Sequence, residues 1–418
     1  MPDSSDRPQE YDAVLGGHTP IPEGRAILGG IEGVKSRLAS AIEEQRIAAL
    51  SESLKYGDAG LDLVIGALQD ESIQVEKTAY LLLRERAVTE LGRSADPKVK
   101  QALKAYNPWD FCECLSILGG HTNGIKSLAI SPDGQTLVSG GYRTLKIWNL
   151  QTGELKKTMS AHLSHVYAVA ISPDGQAIVS GGYKNLKTWN IETGELKKVR
   201  NHISGKVNAL AIDRNRGKEP DWQTIFSGGI DKNTYIWFLD SKFWRTGLRS
   251  CHNKHSQAIN AVAISPDGKT LVSGSDDKTI KLWNIVTGSM FYNWNAIRTI
   301  TGHLEAVKAL AISPDGQILV SGSADNTIKI WQLATGELLG TLEEHTKSVN
   351  AVAISPDGKI MISGSSDKSL KIWRLATGEL IKTLKEHTKG INAVAITPDG
   401  RTIVSGSADN TIKLWGVS

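Results

Sequence analysis

Beyond about residue 112 the chain is a succession of short runs in which apolar and polar residues alternate, separated by recurring turns. The stretch VNAVAISPDGKIMISGSSDKSLKIWRLATGELIKTL, from Val349, holds one full unit. VNAVAI alternates and is rich in β-branched residues, which predicts a strand. SPDG is a turn: Pro presets φ at the first corner and Gly supplies a positive φ. KIMIS, SLKIWRL and LIKTL give three more strands, separated by the polar turns SSDK and ATGE. SPDG begins at Ser131, Ser172, Ser265, Ser313 and Ser355, and TPDG at Thr397. Each is followed by an apolar stretch, then SGG or SGS, then Trp. Counting by the His that opens each unit gives seven copies: His121, His162, His202, His255, His303, His345 and His387. The matching Trp residues are Trp148, Trp189, Trp237, Trp283, Trp331, Trp373 and Trp415. The spacing from His303 to His345 to His387 is 42 residues. Four antiparallel strands in such a period predict one propeller blade.

The seventh copy ends just after Trp415 and lacks a fourth strand. CECLSILGGH, Cys112 to His121, parallels GELLGTLEEH, Gly336 to His345, and is expected to supply it from the front of the chain. Closure of this kind is expected to remove exposed sheet edges. Ahead of the repeats the period changes. Val34, Leu38, Ile42 and, after a slip, Ile47 and Leu50 predict one amphipathic helix. Leu61, Val64, Ile65 and Leu68 predict a second, Val75, Ala79, Leu82 and Leu83 a third, and Val99 and Leu103 a fourth. Asp96-Pro97 reads as an N-cap with Pro at the first helical position. Residues 1–30, rich in Gly, Pro and charge, read as a flexible tail.

Composition narrows the function classes. The net charge of +4 comes with no dense Lys/Arg run, which argues against nucleic acid. Cys112, Cys114 and Cys251 do not make a disulfide framework, so a reducing, cytoplasmic setting is expected. MPDSSDRPQE has no apolar core of a signal peptide, and no apolar run approaches about 18 residues. Cys112-x-Cys114 lacks zinc spacing. The Gly-rich strings at Gly16 and Gly29 lack the Lys-Ser/Thr of a phosphate loop. No nucleophile, base and orienter stand together in a known motif. The seven His sit at the same point of separate blades, which keeps them apart, so no metal is expected.

The repeats resemble the WD40 repeat family over about Cys112 to Ser418. The family's Asp after the Trp is absent; Asn149, Asn190, Phe238, Asn284, Gln332, Arg374 and Gly416 stand there. The string ALQDESIQVEKTAYLLL, with Asp70 in its turn, looks like a HEAT-type helical repeat; a generic small helical bundle is the alternative. The combination resembles bacterial, especially cyanobacterial, WD-repeat proteins. The fold class implied is mainly β: a closed seven-bladed propeller of four-stranded antiparallel blades, preceded by a small all-α HEAT-like domain. The expected division is a tail over 1–30, the helical domain over 31–106 and the propeller over 107–418, with strand 112–118 closing the last blade. The resemblance also implies a structural network of His, Ser, Asp and Trp within a blade. The sets are His255, Ser273, Asp277 and Trp283; His303, Ser321, Asp325 and Trp331; His345, Ser363, Asp367 and Trp373; and His387, Ser405, Asp409 and Trp415.

By the same resemblance, partners use the narrow face, through the positions three and five after each His and the residue before the turn Asp. Copies four to seven offer a bland set: Ala258, Asn260 and Asp276; Ala306, Lys308 and Ala324; Ser348, Asn350 and Ser366; Gly390, Asn392 and Ala408. Copies one to three give Gly124, Lys126 and Tyr142; His165, Tyr167 and Tyr183; and Lys206, Asn208 and Ile230. The candidate partner-binding residues are therefore Tyr142, Tyr183, Tyr167, His165, Lys126, Lys206 and Ile230, because Tyr is enriched at binding hot spots. A second candidate surface holds the aromatics of insertions: Trp222, Trp244, Phe291, Tyr292 and Trp294. Packing over blade edges or against the helical domain is the alternative for these.

Copies one and two also differ in length. SGGYRTLKIW and SGGYKNLKTW are one residue shorter than SGSADNTIKIW and carry Tyr but no Asp. Either a duplicated pair inherited one harmless deletion, or stability was traded for two neighbouring Tyr. The lost Asp is expected to leave His121 and His162 without an orienting carboxylate. The reading that follows is a non-enzymatic, monomeric, cytoplasmic scaffold that binds a protein or peptide, with no cofactor, no nucleic acid and no membrane insertion. The alternative is a small-molecule or carbohydrate binder using the narrow face or central channel.

Overall fold

The computed structural model describes residues 29–89, 96–106, 108–201, 205–213, 223–239, 244–247, 254–285 and 296–417. The tail expected over 1–30 lies almost wholly outside them. The chain divides into two units, Met1–Phe111 and Cys112–Ser418. The division falls after Phe111 rather than after 106. Trp109 and Phe111 are buried, and Phe111 stacks on Tyr106 with ring centroids 6.1 Å apart, which ties the segment to the helices.

The first unit holds helices Gly30–Leu38, Glu43–Ser53, Gly57–Gly66, Ile73–Thr89 and Pro97–Ala105. Leu50, Leu61, Val64, Leu68, Val75, Ala79, Leu83 and Val99 form its buried core. The single helix expected from Val34 to Leu50 is two. The slip in the spacing is a turn, in which Ser40 Oγ accepts from the Ile42 amide at 3.1 Å and Arg46 donates to the Ser40 carbonyl at 2.7 Å. Asp96 caps the last helix, accepting from the Lys98 amide at 2.8 Å, with Pro97 first in the helix. The described helices run 9, 11, 10, 17 and 9 residues, so the expected small helical unit stands.

The second unit is seven four-stranded antiparallel sheets. Blades 1 to 6 span 127–165, 168–200, 207–247, 259–300, 307–342 and 349–384. Blade 7 takes three strands from 391–416 and its outer strand, Glu113–Leu118, from the front of the unit. Cys114 faces Trp415 and Leu118 faces Ile412 in that pairing. The inner strands of neighbouring blades contact one another in cyclic order, and that of blade 7 contacts that of blade 1. The expectation of a closed structure without edges is corrected. Each sheet is open, and its inner and outer strands each leave one edge unpaired. Side-chain packing and single hydrogen bonds join the blades, with no continuous ladder around them among the described residues.

The Gly of each SGG or SGS sets the distance between blades. A Cβ on Gly322 would lie 2.7 Å from Val349 Cγ1 of the next blade. The same holds at Gly140, Gly181, Gly228, Gly274, Gly364 and Gly406, which abut Val166, Val207, Ile259, Val307, Ile391 and Ile125. Only a residue without Cβ admits a β-branched neighbour so close, and overpacking of this kind costs about 1–3 kcal/mol. Each blade thus presents a bare backbone to a Val or Ile of the next.

Removing residues 112–118 leaves strand Ile412–Gly416 as a bare outer edge and uncovers its apolar side. A chain lacking them is expected to melt roughly 10 °C lower, a loss of several kcal/mol. Circular dichroism during heating checks this, and an unchanged melting temperature would refute the strand's role.

Candidate functional site

Two ends of each blade carry different chemistry. At one end the Ser of SPDG donates its hydroxyl to the Asp of the same turn, as Ser313 does to Asp315, and its oxygen accepts the Ile318 amide at 2.9 Å. These carboxylates are turn members. At the other end lie the His residues and the turns after SGS. In blade 5 the Trp331 indole donates to Ser321 Oγ at 2.8 Å, and Ser321 Oγ lies 2.8 Å from His303 Nε2. His303 Nδ1 lies 2.8 Å from Asp325 Oδ2. The carboxylate can only accept, so Nδ1 carries the proton and Nε2 accepts from Ser321. Asp325 also accepts from the Thr327 hydroxyl and the Leu304 amide. Burial raises its pKa, but these bonds outweigh that and hold it down at about 2. Blades 4, 6 and 7 repeat the arrangement through His255–Asp277, His345–Asp367 and His387–Asp409, each at 2.8 Å. Both ring nitrogens of these His are occupied within their own blade. His202, the third member of the series, lies outside the described residues; Trp237 still donates to Ser227 at 2.8 Å.

Blades 1 and 2 keep half of the chain. Ser139 and Ser180 still bridge Trp148 to His121 and Trp189 to His162, at 2.7 to 2.9 Å. His162 Nδ1 finds the Asn185 amide oxygen at 2.7 Å, so an amide stands in for the lost carboxylate. His121 Nδ1 is buried with no hydrogen-bond partner, which costs about 1–3 kcal/mol. The second Gly of SGG is part of the same change. A Cβ on Gly141 would lie 2.5 Å from His121 Nδ1, and one on Gly182 would lie 2.2 Å from His162 Nδ1. The shortened turn pulls the backbone over the imidazole, and no side chain fits there.

The structure also corrects the alignment of the Tyr residues. Every described turn of this kind has one left-handed residue: Arg143, Lys184, Lys232, Lys278, Asn326, Lys368 and Asn410. Tyr142 and Tyr183 immediately precede theirs, as Asp277 and Asp325 do. They replace the turn Asp itself, and the residue before it is the one deleted. Ile230 keeps the position before Asp231.

These turns bring the candidate residues of blades 1 to 3 together. Tyr142 meets His165 edge-on at 5.1 Å, and His165 lies 5.8 Å from Tyr167. Lys206 Nζ sits 5.3 Å over the Tyr167 ring, and Tyr183 forms a β-bridge with Lys206. The Ile230 amide donates to the Lys206 carbonyl. Burial, then Lys126 and Lys206, lower the pKa of His165. Tyr142 is 38% exposed and Tyr183 50%, so both rings remain open for contact. Two cations that sequence reading missed join the patch: Arg143 lies 5.2 Å from the Tyr142 ring and Lys184 lies 5.4 Å from that of Tyr183. Their signal was the residue after each Tyr.

The position five after His is not a free surface elsewhere. Asn208, Asn260, Asn350 and Asn392 donate side-chain amides to Ile259, Val307, Ile391 and Ile125 carbonyls of the following blade at 2.8 to 3.0 Å. These Asn are clasps between blades. At blades 1 and 2 the clasp is gone. The Val169 amide donates instead to Ser127 Oγ at 2.9 Å, and Lys126 and Tyr167 take the freed positions.

Of the second candidate surface, Trp222, Phe291, Tyr292 and Trp294 lie outside the described residues. Trp244 begins strand Trp244–Gly247, with its side chain outside them as well. Clefts of about 690 and 700 Å³ open between blades 4 and 5 and between blades 5 and 6, on the SPDG side. Cys112 is buried, and burial pushes its thiol up to about 12, far from a reactive thiolate.

The buried imidazoles make stability depend on pH. Burial, with Lys146 adding, holds His121 down at about 4. Burial and Lys187 hold His162 at about 4 against the pull of Asn185. Unfolded His titrates near 6.5, so the unfolded chain takes up these protons first as pH falls. Stability is therefore full above about 6.5 and is lost down to about 4, by up to about 1.4 kcal/mol per pH unit for each such His. Urea midpoints measured between pH 7.5 and 4 are expected to fall, and to fall less steeply in His121→Asn/His162→Asn. Midpoints that rise on acidification would contradict this.

Two family models match the second unit. The CAF1B/HIR1 beta-propeller domain covers residues 195–382, and the WD domain, G-beta repeat covers 112–149, 153–190 and 378–416. Small ribosomal subunit protein RACK1y of Oryza sativa subsp. japonica is 42% identical over 183 residues, 43% of this chain and 53% of the relative. MST50-interacting protein 11 of Pyricularia oryzae is 42% identical over 181 residues, 43% and 55% of the two chains. Nuclear distribution protein PAC1 of Scheffersomyces stipitis is 33% identical over 100 residues, 20% and 18%. The chain thus spans about half the length of the first of these relatives. The expected bacterial, especially cyanobacterial, affinity is overturned, because these named relatives come from eukaryotes. In fold and in repeat, the chain is similar to the WD-repeat β-propellers.

Proposed function

We propose that the second unit is a non-enzymatic scaffold that binds a protein or peptide through the His-bearing end of blades 1 to 3. The observation that carries this is the continuous set Tyr142, His165, Tyr167, Lys206 and Tyr183. Its members in blades 1 and 2 stand where the Asn clasps and turn carboxylates of blades 4, 6 and 7 are missing. Aromatic rings with polar tips on a rigid support suit binding, since little side-chain freedom is lost on contact. The His-Ser-Trp chains and the SPDG carboxylates are committed to holding the blades, which supports a binding role over a catalytic one. Relatives named as a ribosomal-subunit protein and as an interacting protein support the same reading.

A displayed library of random peptides panned on the full chain tests it. Selected peptides are expected to lose at least about tenfold in affinity for Tyr142→Ala/Tyr183→Ala, the scale of a hot-spot pair. Both rings are exposed, so the melting temperature of that variant is expected to stay put. Selected peptides that bind wild type and variant alike would overturn the site.

A further inference from the structure

The cations on this surface form no ion pair, whereas their counterparts at the junction of blades 4 and 5 do. Lys278 is the left-handed residue of blade 4, and it pairs with Glu305 of blade 5 at 3.3 Å. Lys308, five after His303, pairs with Asp276 at 2.8 Å. In blades 1 and 2 the left-handed residues are Arg143 and Lys184. The residue equivalent to Glu305, two after His162, is Ser164. The residue equivalent to Asp276 is the one deleted. Among the described residues, Lys126, Arg143, Lys184 and Lys206 form no ion pair. Three of them are nonetheless held in place. Arg143 lies over Tyr142 and donates its Nε to the Leu163 carbonyl at 3.0 Å, Lys184 lies over Tyr183, and Lys206 over Tyr167.

The short turns thus carry a Tyr in place of the turn Asp, and the cations beside them have no acid within ion-pair distance. We infer that this surface takes an acidic peptide segment of a protein partner, its carboxylates meeting Lys126, Arg143, Lys184 and Lys206 and its apolar atoms lying on Tyr142 and Tyr183. This rests on the proposed site and adds the chemistry of its ligand. Cations already stacked on rings lose little freedom on pairing, and Arg forms two-pronged bonds with carboxylate. Attraction between exposed charges is screened by salt, so binding must weaken as ionic strength rises.

The test uses the full chain and fluorescein-labelled 12-residue peptides, followed by anisotropy at 50 and 300 mM salt. One peptide is rich in Asp and Glu with interspersed Leu, one replaces the acids by Asn and Gln, and one replaces them by Lys. The acidic peptide is expected to bind at least tenfold more tightly than the other two at low salt, and to lose severalfold at high salt. Lys126→Glu/Lys206→Glu, both exposed positions, is expected to reverse the preference toward the Lys peptide with the melting temperature unchanged. Library peptides that depend on Tyr142 and Tyr183 but carry no excess of acid would overturn this inference while leaving the site. Acidic peptides that bind the charge-reversed chain as well as wild type would also overturn it. Single-stranded DNA that binds more tightly than the acidic peptide, and competes with it, would assign the surface to nucleic acid and overturn it too.

Discussion

The contact between the Gly of SGG or SGS and a β-branched residue of the next blade fixes everything else in the second unit. Each blade meets its neighbour through Gly322 against Val349 or the equivalent pair, with no room for even one methyl group. Interiors packed at this density have few alternative arrangements. The spacing of seven inner strands follows from it, and the loops at both ends of the blades inherit fixed positions. A surface assembled from three different blades can hold its geometry only because these contacts are tight.

Above that layer lies a polar chain that runs, in its full form, from Trp through Ser and His to Asp. It is buried, so every missing partner costs free energy. Blades 4 to 7 complete it. Blade 2 completes it with Asn185, and blade 1 leaves His121 Nδ1 unanswered. The missing residue, the second Gly and the Tyr in place of Asp are three neighbouring positions of one turn. Gly stands at 141 because the shortened turn brings the backbone over the imidazole, where a Cβ would meet His121 Nδ1. The stability given up is local to the blades whose outer loops carry the aromatic and basic residues.

Much of this was legible in the sequence. Strand period, SPDG turns and the 42-residue repeat give the blades, because alternation and turn chemistry are local properties. The strand from Glu113 was legible because its sequence copies that of Gly336 to Leu342. Other features were not. The role of Asn260 and its equivalents depends on a carbonyl in the next blade, a relation between sequentially distant segments. The true equivalence of Tyr142 to a turn Asp needed the backbone, where Arg143 and Asn326 share a left-handed φ. The break at Ser40 was visible only as a slip in period. Arg143 and Lys184 were missed because a charge beside a Tyr says nothing until the ring and the cation are seen to stack. The openness of each sheet was misjudged because supplying a missing strand completes one blade but leaves every outer edge as it was.

The short turns of blades 1 and 2 have a consequence for symmetry. Seven near-identical blades approximate a rotor with sevenfold pseudo-symmetry, and a partner reading only the common loops would find up to seven equivalent ways to sit. Two adjacent blades that lack a residue at the same place remove that degeneracy. The change marks one sector of the rotor as unlike the rest, and the order of blades 1, 2 and 3 gives that sector a direction. A linear ligand laid across it has a defined start and end, so orientation as well as position is written into the missing residue.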